Sequence, residues 1–80
     1  MKLGHYLSGL IKSELEDLER ELNLTDEEKV VFDLLSKGKS IVYIADRCNI
    51  SPSSVSNRIK SIQRKVVRYH DRKRNIEVRS

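Results

Sequence analysis

Apolar residues recur at intervals of three and four along most of the chain, which predicts a series of amphipathic helices and an all-α fold. The first apolar stripe starts at Leu3 and continues through residues 10–22, where the pattern is clearest. Gly4 and Gly9 weaken its early part, because glycine disfavours a helix interior. The other faces carry mainly acidic side chains, so residues 1–23 are predicted to form an N-terminal amphipathic helix.

A second helix is predicted to start after Thr25. Thr25 is a suitable N-cap and Glu28 follows three residues later, which is the spacing of a capping box. Gly38 is placed to end this helix as a C-cap. The apolar stripe that we expect to face the core comprises Val30, Val31, Leu34 and Leu35.

The next two helices are predicted to form a helix-turn-helix unit. Ser40 can cap a short helix over Ile41–Cys48, and Asn49 tolerates the left-handed backbone conformation that a tight turn requires. Ser51 then caps a further helix whose first position is Pro52. Helix, short turn and helix in this order are typical of the unit that places its second helix in the major groove of DNA.

The helix that starts at Pro52 is predicted to be long. Its apolar residues keep a spacing of four and three as far as Arg72, which corresponds to about five turns. Residues 75–80 show no helical pattern. We therefore expect a helix-turn-helix domain over residues 24–70 and a basic tail over residues 71–80. The apolar stripe of the long helix comprises Val55, Ile59, Ile62, Val66 and Tyr69.

Charged side chains are distributed unevenly along the chain. Residues 1–36 hold four basic and nine acidic side chains, a net charge of −5, whereas residues 37–80 hold twelve basic and three acidic ones, a net charge of +9. A basic excess of this size attracts a polyanion, so nucleic acid is the favoured partner and an anionic membrane surface the weaker alternative. The chain has no apolar run near the roughly 20 residues that span a bilayer. We expect a cytoplasmic protein with no membrane partner.

Residues spread over positions 24–66 match the pattern of a known family. They are Leu24-Thr25, Glu28, Val31-Phe32, Leu34, Gly38, Ser40, Ile44-Ala45, Ile50-Ser51-Pro52, Val55, Ile62 and Lys65-Val66. In these residues the chain resembles the LuxR/GerE-type helix-turn-helix, which is itself similar to the promoter-reading region 4 of sigma factors. The resemblance implies an all-α, DNA-binding regulator of transcription. The chain departs from the family at Tyr43, at Arg58, and after Val66, where the family has a glycine and an apolar dimer helix.

The polar face of the long helix holds the candidate base contacts. Short or planar hydrogen-bonding side chains come first on this face and long cations follow, which suits a helix whose first turns meet base edges. The resemblance places base contacts at the same exposed positions, Ser56, Asn57 and Lys60. The alternative is that the serines and Asn57 are only caps and solvated surface. The full candidate set comprises Ser53, Ser56, Asn57 and Lys60.

A second group of residues is predicted to contact phosphate. Long cations and the exposed backbone N–H groups at helix starts both favour anions. Arg72-Lys73-Arg74 is either an additional arm to the DNA backbone or a solvated terminus. The predicted phosphate contacts are Lys39, Ser40, Ser51, Arg58, Arg64, Lys65 and Arg68.

The N-terminal stripe permits two interpretations. It either packs beside the helix-turn-helix of its own chain or pairs with a second copy, because four of its residues keep heptad spacing. DNA readers of this kind usually bind palindromic half-sites as symmetric dimers, which slightly favours a homodimer. The candidate dimer residues are Ile11, Leu15, Leu18 and Leu22.

The sequence contains no pattern expected of an enzyme. His5 and His70 lie at opposite ends, and the single Cys48 sits on an apolar face, so no catalytic residue, metal, cofactor or small-molecule ligand is expected. The leading hypothesis is a sequence-specific transcriptional regulator of double-stranded DNA. The alternatives are a sigma-like module that contacts RNA polymerase or another regulator, and a non-specific architectural or recombination accessory protein.

Overall fold

The fold is all-α, as the sequence predicts. The computed structural model describes residues 3–79, with side chains described as far as Arg72, and this part contains five helices and no strand. The helices are α1 (Leu3–Ser8), α2 (Lys12–Leu22), α3 (Asp26–Ser36), α4 (Ile41–Cys48) and α5 (Pro52–Arg79).

The N-terminal segment forms two helices, so the prediction of one continuous helix is wrong. The backbone N–H groups of Gly9 and Leu10 donate to carbonyls three residues back, at 3.3 and 3.1 Å, which tightens and ends α1. Ile11 is extended, with ψ of 165°, and its N–H donates to Glu14 Oε1 at 3.0 Å. This hydrogen bond satisfies a free donor at the start of α2. The break lets α1 pack on α3 while α2 packs on α3 and α5.

Helix α5 is the central element, since it packs against α2, α3 and α4. Its apolar stripe is buried at Val55, Ile62 and Val66, while Ile59 and Tyr69 are partly buried against the same core. The other helices and the link before α3 complete the core with Leu3, Leu7, Leu18, Leu22, Leu24, Val31, Phe32, Leu34, Leu35, Ile44 and Ala45.

One residue of the predicted α3 stripe does not face the core. Val30 is 47% exposed, whereas Val31 is fully buried. Successive helical residues are rotated by about 100°, so two neighbours cannot both occupy the centre of one face. Ile41, in the first turn of α4, is also 40% exposed, whereas Ile44 is buried.

Most of the predicted dimer residues are buried or half-buried within their own chain. Leu18 and Leu22 are only 4% and 5% exposed, because α2 packs against α3 and α5. Leu15 is half-buried against the same core, and Ile11 alone of the four is exposed, at 64%. This burial within the chain supports the intramolecular interpretation of the stripe, and dimerisation through α2 stays an untested prediction.

The predicted helix ends are confirmed where local side chains determine them. Gly38 follows α3 with φ of +81°, a left-handed conformation that glycine adopts without steric cost. The N-caps Thr25, Ser40 and Ser51 accept hydrogen bonds from the backbone N–H groups of Glu28, Tyr43 and Ser54.

The predicted non-helical tail is wrong. α5 continues to Arg79, because no glycine or proline follows Pro52 and each added helical residue gains a backbone hydrogen bond. Arg72 is exposed, whereas the side chains of Lys73 and Arg74 lie outside the described residues.

A buried carboxylate ties α3 to α5. Glu28 is only 5% exposed, and its Oε1 accepts hydrogen bonds from Lys65 Nζ at 2.6 Å and from the Thr25 N–H at 3.0 Å. Its Oε2 accepts from Ser61 Oγ at 2.7 Å. Lys65 Nζ also lies 3.4 Å from the carbonyl oxygen of Asn23. These bonds satisfy both carboxylate oxygens, so the charge is buried without an unpaired polar atom.

The same contacts set the ionisation of Glu28. Burial alone would raise its pKa, but the hydrogen bonds from Lys65, Thr25 and Ser61 outweigh burial and lower the pKa from 4.5 to about 2. A carboxyl whose pKa is lower in the folded state stabilises the fold above its unfolded pKa. That stabilisation is lost as the pH falls from about 4.5 towards 2.

Replacing Glu28 by Gln should lower the free energy of unfolding at pH 7 by about 2 kcal/mol, allowing for partial solvent screening at Lys65. The difference in unfolding free energy between variant and wild type should become smaller as the pH falls from about 4.5 towards 2, because wild-type Glu28 then becomes neutral. Urea denaturation at several pH values measures these unfolding free energies. Glu27→Gln, at the exposed neighbouring position, is the matched control. An E28Q protein as stable as wild type at pH 7 would refute the structural role of this network.

Replacing Leu18 by Glu should lower the melting temperature strongly, because an unpaired carboxylate would enter the core at a cost of about 3 kcal/mol or more. Ile11→Glu, at an exposed position of the same segment, should change stability by less than about 0.5 kcal/mol. Thermal melts and sedimentation of both variants make the test. If Leu18→Glu instead converted a dimer into an equally stable monomer, the intramolecular placement of α2 would be wrong.

Candidate nucleic-acid interface

The turn between α4 and α5 has the geometry that the sequence predicts for a helix-turn-helix. Asn49 adopts a left-handed conformation with φ of 58°, and the N–H of Ile50 donates to the carbonyl of Ala45 at 3.0 Å. Ala45 is 5% exposed and Val55 is completely buried. The small side chain of Ala45 and the apolar side chain of Val55 therefore both enter the core where α4 packs on α5.

Burial of one face of α5 determines which side chains face outwards. At about 100° per residue, Ser53, Asn57 and Lys60 lie between about 140° and 160° from the direction of Val55. All three are exposed. Arg64 is also exposed and lies about 180° from Val55. The structure thus brings these four predicted side chains together on one outward face.

The length of this face fits the major groove. Ser53 and Lys60 are seven residues apart, which is about 10 Å along a helix, and the major groove is about 12 Å wide. Arg64 and Arg68 lie about 6 and 12 Å beyond Lys60, where a helix that leaves the groove passes the phosphates. Ser56 differs from the other candidates because it is half-buried and points about 100° from Val55.

The start of α4 carries a contact that the sequence interpretation missed. The Lys39 ammonium lies 4.9 Å above the ring centroid of Tyr43, a cation–π arrangement that holds the lysine near the first turn of the helix. Ser40 lies between them in sequence, is exposed, and caps the same turn. The four-residue spacing of Lys39 and Tyr43 is the sequence signal that points to this contact.

Two of the predicted phosphate contacts lie off the outward face. Lys65 is held by Glu28 on the side of α5 that meets α3. Arg58 is half-buried and lines a depression of about 360 Å³ that includes Thr25 and Glu27 at the start of α3. Ser51, by contrast, is exposed and caps α5.

The outward face of α5 continues beyond the predicted DNA-reading residues. Lys60, Arg64, Arg68 and Asp71 follow one another along it, and the intervening Val67 is 50% exposed. The face is therefore basic for most of its length, with one apolar side chain among the cations.

The described residues contain no group of three His, Cys, Asp or Glu side chains placed to hold a metal ion. Cys48 is half-buried against the core. Within the same part of the chain, no helix has both the length and the hydropathy needed to cross a membrane.

Comparison of the sequence with known protein families gives a match. A family model for bacterial regulatory proteins of the LuxR family, GerE, matches residues 22–74, which include α3, α4 and most of α5. No curated protein and no solved structure matches the chain. The family match covers more than half of the sequence, so the chain belongs to the LuxR family of bacterial regulatory proteins, whose helix-turn-helix domains bind DNA and regulate transcription.

Proposed function

We propose that this protein is a sequence-specific transcriptional regulator that reads the major groove of double-stranded DNA with the start of α5. The observation that carries the proposal is the outward face of α5. Ser53, Asn57 and Lys60 are exposed together, opposite the buried stripe, over a length that matches the groove.

Each side chain on this face has a distinct capacity for recognition. The amide of Asn57 can both donate to and accept from an adenine, at N6 and N7. The ammonium of Lys60 can donate to guanine O6 or N7, whereas Ser53 can bond to several bases. Ser56, being half-buried, has a smaller share in base contact. The discrimination between sites therefore rests mainly on Asn57 and Lys60.

Phosphate contacts would position the helix on the duplex. Lys39 and Ser40 supply a cation and free N–H groups at the start of α4, and Ser51 supplies the same kind of helix start for α5. Arg64 and Arg68 follow at the far edge of the groove. Lys65 is left out, because its ammonium serves the buried carboxylate of Glu28.

Binding to DNA as a homodimer would require a dimer contact on a surface other than α2. Symmetric dimers on palindromic half-sites are usual for helix-turn-helix readers. Since Leu18 and Leu22 are buried in their own chain, a homodimer would have to form elsewhere.

A second candidate function is contact with RNA polymerase or another regulator. It is favoured by three successive apolar side chains at the start of α4, Ile41, Val42 and Tyr43, which are 40%, 71% and 44% exposed. Exposed apolar groups in a continuous patch mark protein contacts more often than scattered ones do. A protein that bound no DNA at low salt would favour this second function over the first.

Asn57→Ala and Lys60→Ala should each cost about 1–3 kcal/mol on the preferred DNA site and much less on random DNA. Arg64→Ala should weaken both kinds of binding nearly equally and reduce the salt slope by about one. Fluorescence anisotropy with both DNAs at several salt concentrations measures these effects.

The control is Lys12→Ala, which removes the same charge from an exposed position on α2 and should leave both affinities nearly unchanged. Equal losses on both DNAs for Asn57→Ala, Lys60→Ala and Arg64→Ala would mean that α5 carries charge but reads no sequence. The protein would then be a non-specific DNA-binding protein.

A further inference from the structure

A cleft of about 250 Å³ lies where the N-terminal helices meet α5, away from the proposed DNA-reading face. Tyr6 of α1 and Glu14 and Asp17 of α2 line one part of it, and Tyr69 and His70 of α5 line the other. At about 100° per residue, Tyr69 and His70 lie within about 60° of the direction of Val55, the buried side of α5.

Three rings in this cleft form a connected aromatic cluster. The ring centroids of Tyr6 and His70 are 5.8 Å apart with an interplanar angle of 79°, and those of Tyr69 and His70 are 5.5 Å apart at 64°. Tyr6 Oη lies 2.9 Å from His70 Nε2, a hydrogen bond across 64 positions of sequence. The His70 ring therefore joins the Tyr6 and Tyr69 rings into one edge-to-face cluster.

Two carboxylates complete the lining, and one of them, Asp17, forms an ion pair with Arg20. Glu14 accepts the Ile11 N–H through Oε1, and Asp17 accepts from Arg20 through Oδ1. Each contact uses one oxygen of its carboxylate. The cleft is thus lined both by aromatic rings, whose faces carry negative potential, and by two acidic side chains three residues apart on α2.

We propose that this cleft binds an organic cation, a small molecule that carries an ammonium group. Aromatic faces and carboxylates both attract such a group, and aromatic cages are a recurrent means of binding quaternary ammonium ions. The carboxylates repel anions, and the described residues include no group of three metal-ligating side chains here or elsewhere. The site departs from the sequence expectation of no small-molecule ligand, and it is independent of the DNA-reading face.

The test uses choline and its neutral isostere 3,3-dimethyl-1-butanol, in which carbon replaces the charged nitrogen. Increasing choline should shift the NMR signals of the Tyr6, Tyr69 and His70 rings saturably. The neutral alcohol should cause no saturable shift. The ring of Tyr43, exposed on α4, is the internal reference and should not respond.

Two variants identify the groups that bind. Glu14→Gln keeps an oxygen to accept the Ile11 N–H but loses its charge, so it should weaken choline binding about two- to five-fold. Glu16→Gln removes the same charge from an exposed position outside the cleft and should leave binding unchanged. Tyr69→Leu should abolish the saturable shift while circular dichroism still shows a folded, helical protein.

Three results would overturn the proposal. Equal binding of the neutral alcohol would make the cleft an apolar pocket without selectivity for cations. An absence of saturable shifts with choline would mean that no organic cation site exists there. Equal weakening by Glu14→Gln and Glu16→Gln would attribute the effect to the overall charge of α2 and not to this cleft.

Discussion

Burial of one face of α5 is the constraint on which the rest of the molecule depends. Val55, Ile62 and Val66 have no exposed surface, and removing each from the core would cost roughly 1.5–3 kcal/mol. The helix therefore cannot rotate about its axis without losing several such contacts at once. This fixed rotation keeps Asn57 and Lys60 outward, so the packing of the core and the composition of the proposed DNA-reading face are determined together.

A chain of 80 residues has little apolar surface with which to hold such a helix. The N-terminal helices make up the shortage, because Leu3, Leu7 and Leu18 enter the same core as the helix-turn-helix. Of these two helices, α2 carries the exposed acidic side chains, whereas α1 has none. Glu28 and Lys65 add an ion pair between α3 and α5, on the side of α5 away from its outward face. The N-terminal helices are thus structural parts of the DNA-binding domain.

The sequence predicts those features that depend on residues three or four positions apart. The capping box at Thr25, the left-handed turn at Asn49 and the apolar stripe of α5 are all of this kind. Features that join distant residues were not predicted, since no local pattern encodes them. The Glu28–Lys65 ion pair is one of them: it spans 37 positions and engages an ammonium group that the sequence assigns to phosphate contact.

The remaining differences between prediction and structure concern where a helix is interrupted and where it ends. The interruption before α2 depends on the extended backbone of Ile11, and the extension of α5 to Arg79 needs only the absence of a helix breaker. Neither the interruption nor the extension changes the three- and four-residue spacing of the apolar positions. For the candidate site, the predicted face of Ser53, Asn57 and Lys60 is assembled as expected, because a helix with one buried stripe must present the opposite positions.

Selection of bound sequences from a random pool of double-stranded DNA tests whether α5 reads sequence. Wild-type protein should enrich a short motif, and the Asn57→Ala protein should lose the preference at one base position while keeping the others. That result would locate sequence recognition on the outward face of α5. Recovery of a pool without sequence preference, by a folded wild-type protein that binds DNA, would contradict sequence recognition by α5.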